Sequence, residues 1–199
     1  MNSLTETAPE TDAGNIKPEP TPELPLALHC WWSHLRFWLI MAVGLIADLW
    51  TKHWAELTLK GRPPRVIVED ALSLHYSTNK GALFGMGQQL TWLFVGASLA
   101  ALLFVLYVFA KSNTRQRSFH AALGMILAGA LGNLYDRLFN GGEVRDFIKI
   151  ELHIGDFELW PWIFNVADML LVCGVSILML NICFSRKHPG TLEGEQPAV

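Results

Sequence analysis

The sequence predicts an all-α membrane protein: four transmembrane helices carrying a small extracytoplasmic β-rich element. Three observations carry that reading. Of the 199 residues, 51% are apolar and only 17% charged, and the mean hydropathy is +0.29, against about 25% charged residues in an ordinary soluble domain. Leu90–Ala110 is 21 residues without a charge, and Trp162–Phe184 is 23 residues whose only charge is Asp168. A bilayer core of about 30 Å takes roughly 20 apolar residues of helix.

The N-terminal stretch 1–28 is different in kind. It holds Glu6, Glu10, Asp12, Glu19 and Glu23 against Lys17, together with half of the ten prolines. Such a segment cannot bury enough apolar area to offset its chain entropy and is expected to be a disordered tail. It lacks the basic start and early apolar core of a signal peptide. The four-helix membrane domain is expected over 29–185, with 186–199 as a cytoplasmic C-terminal tail.

The first span is expected at about 32–50, with Trp31, Trp32 and Trp38 at one end, Trp50 and Trp54 at the other, and Arg36 snorkelling outward. The second is 90–110. The third, 119–138, is less apolar and carries Gly124, Ala128 and Gly132 at i, i+4 spacing, a stripe that allows close approach of a neighbouring helix. The fourth is 162–184, with Pro161 at a first-turn position. Cys30, Cys173 and Cys183 are too few and too scattered for a disulfide framework and are expected to pack as core thiols.

Four spans put both termini on one side and the segments 51–89 and 139–161 on the other. The short connector between spans two and three holds Lys111, Arg115 and Arg117, so the positive-inside rule places the termini in the cytoplasm. A 39-residue loop is too long to be a bare connection. Val66–Val68 and the alternation Leu72/Leu74/Tyr76 predict an extracytoplasmic strand pair, and Gly81, Gly85 and Gly87 a turning segment after it.

Charge inside a bilayer is costly, so each ionisable residue there needs a reason. Asp48 and Lys52 share a helix face at i, i+4, as an interfacial ion pair would. Asn133, Asp136 and Arg137 cluster at the outer end of span three, where Arg137 can hold a carboxylate or a carbonyl. Asp146 lies just past that span, and Asp168 about two turns inside span four, behind Asn165. Antiparallel helices bring Asp146 and Asp168 to similar depth, where two carboxylates share a proton and can act as base and acid on a water. A proton- or cation-carrying bundle using Asp168 and Asp48 is the other reading at this point. Seven scattered histidines do not make a zinc site, and neither a serine nucleophile elbow nor a phosphate loop nor a nucleic-acid-binding face is present.

At these residues the sequence closely resembles the bacterial lipoprotein signal peptidases, signal peptidase II, a family of intramembrane aspartic proteases. The blocks are Asp48-Leu-Trp-Thr-Lys52, Asn79-Lys-Gly-Ala-Leu-Phe-Gly85, Gly129-Ala-Leu-Gly-Asn133-Leu-Tyr-Asp136-Arg137 continuing to Val144-Arg-Asp146-Phe147, and Phe164-Asn165-Val-Ala-Asp168. They occur in family order over about 30–185. Ala128 stands where the family has the first glycine of a pair, and the stretch from Asp136 to Asp146 is one residue longer. The resemblance implies catalytic Asp146 and Asp168, with Asp48, Lys52, Asn79, Asn133, Asp136, Arg137 and Asn165 lining or supporting the site. It implies no metal or organic cofactor. The implied substrate is a prolipoprotein whose cysteine carries a diacylglyceryl group, cut N-terminal to that cysteine by a monomeric enzyme of the bacterial inner membrane.

Overall fold

A computed structural model describes residues 25–79, 81, 91–154, 157–158 and 160–185. The expected tails 1–24 and 186–199, and Gly85 and Gly87, lie outside the described residues. Pro25–Leu28 do not continue the polar stretch: Leu26 bridges Asn113, and the Ala27 amide donates to the Ser112 carbonyl at 2.8 Å.

Four helices are long and apolar enough to cross a membrane: α1 (Trp31–Leu59), α2 (Thr91–Lys111), α3 (Arg117–Phe139) and α4 (Val166–Ser185). Helix α1 outruns its expected end at Trp50. At 1.5 Å per residue its 29 residues span about 43 Å, beyond a core of about 30 Å. The apolar run ends near Trp50, but the helical period continues, with Asp48, Lys52, Ala55 and Leu59 all buried on one face.

Helix α3 is the hub, packed against each of the other three. It has the lowest hydropathy of the four, 1.2, yet 61% of its spanning window is buried, against 11–17% elsewhere. Its neighbours shield it from lipid, so it need not be strongly apolar. The small-residue stripe does what its spacing predicts. A methyl on Gly124 would stand 2.8 Å from the Phe37 carbonyl of α1, and one on Gly132 would overlap Asp48 and press on Ala167. Cys173 and Cys183 are exposed on the lipid-facing surface of α4, not packed in a core, among Met169, Val172 and Val175.

The β-rich element is larger than a strand pair. β1 (Arg65–Val68), β2 (Leu72–Asn79), β3 (Val144–Ile150) and β6 (Ile163–Phe164) form an antiparallel sheet in the order β1-β2-β3-β6, beside a hairpin of β4 (His153–Ile154) and β5 (Phe157–Glu158). Gly141 and Gly142, at φ +64° and +86°, turn the chain from α3 into β3. β3 then supplies both the sheet centre and Asp146. Pro161 is not in the first turn of the last helix: Ile163 and Phe164 pair with Lys149 and Ile148, and α4 begins only after Asn165.

Candidate active site

The sheet and the ends of α1 and α3 beside it enclose a chain of buried charge. Lys52 Nζ lies 2.8 Å from Asp48 Oδ2 and 3.3 Å from Asp136 Oδ2, and donates to Asn133 Oδ1 at 2.9 Å. All three charged side chains are fully shielded, so the Asp48–Lys52 pair is a buried ion pair and not an interfacial one. Asp136 continues the chain, accepting Arg145 Nη2 at 2.6 Å, Arg145 Nε at 3.2 Å and the Arg145 amide at 3.0 Å. Arg145 Nη1 in turn meets Glu56 Oε2 at 3.2 Å. Asp136 therefore fastens strand β3 to helix α3 beside Asp146. Sequence reasoning passed over Arg145 and Glu56. No periodicity marks Arg145, because β3 buries its first four residues consecutively; its place next to Asp146 is the one signal.

Asn165 opens α4 as its N-cap. Its Oδ1 accepts the Asp168 amide at 3.0 Å, and Asp168 Oδ2 accepts the Asn165 amide at 3.3 Å, a reciprocal box in which Asp takes the place of the usual Glu. Asp168 thus sits in the first turn of α4, not two turns inside it. A second cap comes from another helix: Asp48 Oδ1 accepts the Ala167 amide at 2.8 Å. The close packing of Gly129 on the Ala167 carbonyl and of Gly132 on Asp48 makes room for this junction.

Two asparagines then place the two outer carboxylates. Asn133 Nδ2 donates to Asp168 Oδ1 at 2.8 Å, and Asn165 Nδ2 to Asp146 Oδ1 at 2.6 Å. Asn165 Nδ2 also lies 3.3 Å from Asn133 Oδ1, so the two amides link the carboxylates through one network. Asp146 pairs with Ser77 across β2–β3, beside a bulge in β2 between Leu74 and Ser77. Bulges of this kind re-aim side chains. Burial, and after it the charge of Asp168, push the Asp146 carboxyl up to about 7, against the opposing hydrogen bonds of Asn165 and Asn79 and the charge of Lys52.

Asp146 and Asp168 line one cavity of about 260 Å³ together with Asn79, Asn133 and Arg137. Its apolar wall includes Phe94, Ala97, Ala101 and Leu171, and Trp160 and Trp162 stand at its sheet side in an edge-to-face pair. Arg137 donates through Nη2 to the Gly81 carbonyl at 2.9 Å and through Nη1 to the Asn133 carbonyl at 3.3 Å, with its guanidinium 5.1 Å from the Phe94 ring centre. It is not a partner of Asp136 or Asp48. Neither Asp48 nor Lys52 lines the cavity, so the reading that joined Asp168 to Asp48 as an ion site has no geometric support. All nine residues expected from sequence lie in this one region: Asp146, Asp168, Asn79, Asn133 and Arg137 at the cavity, and Asp48, Lys52, Asp136 and Asn165 behind it.

Known proteins point the same way. Residues 40–184 match the family described as Signal peptidase (SPase) II. The lipoprotein signal peptidase of Clostridium novyi (strain NT) is 38% identical over 142 residues, covering 71% of this chain and 93% of that protein. That of Desulfitobacterium hafniense (strain DSM 10664 / DCB-2) is 39% identical over 114 residues, covering 57% and 70%. A bacterial membrane enzyme solved by the in meso method at 2.3 Å resolution superposes with a TM-score of 0.70 at 28% identity, covering 79% of this chain and 93% of that one. With four membrane-capable helices and a family match that runs through residues 40–184, this chain belongs to the signal peptidase II family, the proteases that remove signal peptides from prolipoproteins.

Proposed function

We propose that the chain is an aspartic endopeptidase in which Asp146 and Asp168 jointly activate a water molecule. The observation that carries this reading is their placement: two carboxylates on one cavity, linked through Asn133 and Asn165, with Asp146 held protonated to about pH 7. Such a pair holds one proton between them. The ionised member takes a proton from water as its oxygen attacks the scissile carbonyl carbon, and the protonated member donates to the carbonyl oxygen. The intermediate collapses as the C–N bond breaks and the leaving nitrogen takes up a proton. Arg137, with planar donors at the cavity wall, orients the peptide carbonyl. The chemistry is complete with these side chains and water, without a metal or organic cofactor.

The substrate class follows from the family and the setting. A prolipoprotein with a diacylglyceryl-modified cysteine anchors its scissile bond at the membrane surface, just N-terminal to that cysteine. The lipid reduces the entropy of bringing bond and carboxylates together, and the wall of Phe94, Ala97, Ala101 and Leu171 suits an apolar chain. With Lys111, Arg115 and Arg117 on the short connector, the termini lie in the cytoplasm and the aspartates face the outer side of the inner membrane of the bacterial cell. A monomeric enzyme is supported by the candidate residues all lying on one chain. Asp146→Asn and Asp168→Asn are each expected to lower cleavage of a diacylglyceryl precursor by about 10²–10⁴-fold while the protein still inserts and folds. Near-normal cleavage by either variant overturns the dyad.

A further inference from the structure

The end of the bundle opposite the aspartates carries a second cavity, of about 440 Å³, lined by Cys30, Trp32, Arg36, Thr114 and Arg117. It lies where the first turns of α1 and α3 meet the connector that follows α2. Three features give it chemistry. Arg36 is half-buried and underused: its Nη2 reaches the Thr114 carbonyl only at 3.5 Å, and its Nε is buried without a hydrogen-bond partner among the described residues. A guanidinium carries five donors in a planar fork, matched to an oxyanion.

Among the described residues the charge around it is one-sided. Arg36, Lys111, Arg115 and Arg117 cluster here, while segments 25–45, 103–128 and 173–185 contain no Asp or Glu. Every acidic side chain of the described helices belongs to the opposite half of the bundle. Neither α1 nor α3 has a side-chain N-cap or an acidic residue in its first turn, so both helix ends add positive potential where a carboxylate would normally offset it. The depth is also marked. Trp31 and Trp32 are 74% and 65% exposed on the same turns, as aromatic residues are at the headgroup level of a bilayer.

We propose that Arg36 and Arg117 form a binding site for a phosphate group at headgroup depth, in the leaflet opposite the active site. An anionic phospholipid brings such a group to that depth, and free phosphate shares its chemistry. Phosphate oxygens satisfy the unused Arg36 donors, Arg117 closes the fork from α3, and Trp32 covers the glycerol end. The site ties α1 to α3 at the end of the bundle where no buried ion pair among the described residues does so.

The test uses the full-length protein in detergent. Native mass spectrometry measures retention of phosphatidylglycerol, of diacylglycerol with the same chains, and of inorganic phosphate. Wild-type protein is expected to retain one phosphatidylglycerol and no diacylglycerol. Arg36→Gln and the exposed Arg117→Gln are each expected to weaken retention by about tenfold or more, as loss of a charge-assisted contact does. Lys111→Gln with Arg115→Gln removes two charges outside the cavity, twice what either single variant removes, and is expected to change retention less than about threefold. Phosphatidylglycerol bound without competition from inorganic phosphate assigns the lipid, and equal binding of both assigns phosphate alone. No retention by wild type, equal retention by diacylglycerol, or equal losses in the two sets of variants overturns the site. Arg117→Gln keeps the test valid if Arg36→Gln fails to fold.

Discussion

Replacing Lys52 with methionine keeps the length and apolar stem of the side chain and deletes one charge. Its ammonium is fully shielded and serves Asp48 at 2.8 Å, Asn133 at 2.9 Å and Asp136 at 3.3 Å. The variant leaves the Asp48 carboxylate buried beside no cation, and Asp136 dependent on Arg145 alone. Removing one partner of a buried ion pair costs about 3–5 kcal/mol. At about 2–4 °C per kcal/mol, the thermal midpoint in detergent should fall by roughly 6–20 °C. Turnover should fall with it, because Asn133 loses the bond that orients its amide toward Asp168. Asp48→Asn in the same chain should restore part of the stability, with a coupling of at least about 1 kcal/mol between the two changes. Strictly additive losses, or a midpoint within about 2 °C of wild type for Lys52→Met, would refute the buried-pair reasoning.

Gly132→Ala should destabilise by about 1–3 kcal/mol, since the added methyl overlaps Asp48. Gly96→Ala, with nothing within 4 Å, should be neutral or stabilising by up to about 1 kcal/mol in the same melts. Arg137→Lys should lower turnover by roughly 10²–10³-fold with expression unchanged; normal catalysis with a lowered midpoint would make Arg137 structural instead. Because Asp146 is raised from about 4 to about 7, the folded protein keeps a proton that the unfolded chain gives up between those values. Its contribution to stability is therefore full below about pH 4 and lost as pH rises through about 7, and the Asp146→Asn variant should lack that decline. Cleavage should also decline above about pH 7 as the pair loses its shared proton, which a pH–rate profile reads directly.

Much of this architecture was legible because lipid imposes a strict rule on composition. The spans 90–110 and 119–138 lie within two residues of α2 and α3, since apolar length sets them directly. The ends of α1 and α4 were less legible for physical reasons. Helix α1 continues past Trp50 because residues 51–59 bury a helical stripe against protein, and hydropathy does not register that stripe. Helix α4 starts late because Asn165 captures its first turn and Ile163–Phe164 join the sheet. The four-stranded sheet escaped notice for a related cause: Val144–Ile150 buries its first four residues consecutively, without the alternation that marks a half-exposed strand. The candidate site residues could be collected from sequence, but not the contacts that divide them. That Asp48 serves a helix cap, Asp136 a strand clamp and Arg137 the cavity wall depends on contacts between residues as far as 119 positions apart.

The hydrogen bond from the Ala167 amide to Asp48 also bears on how the enzyme is born. Asp48 leaves the ribosome early, whereas the amide it accepts lies 119 positions later. At roughly 5–20 residues per second, about 6–24 s pass between them. Through that interval Lys52, four positions on, is the near partner available to Asp48, and Asn165 and Asp168 do not yet exist. A nascent chain therefore carries Asp146 without the carboxylate that shares its proton. On the proposed dyad, hydrolysis awaits the step that docks the last helix and brings Asp168 to the cavity that Asp146 already lines.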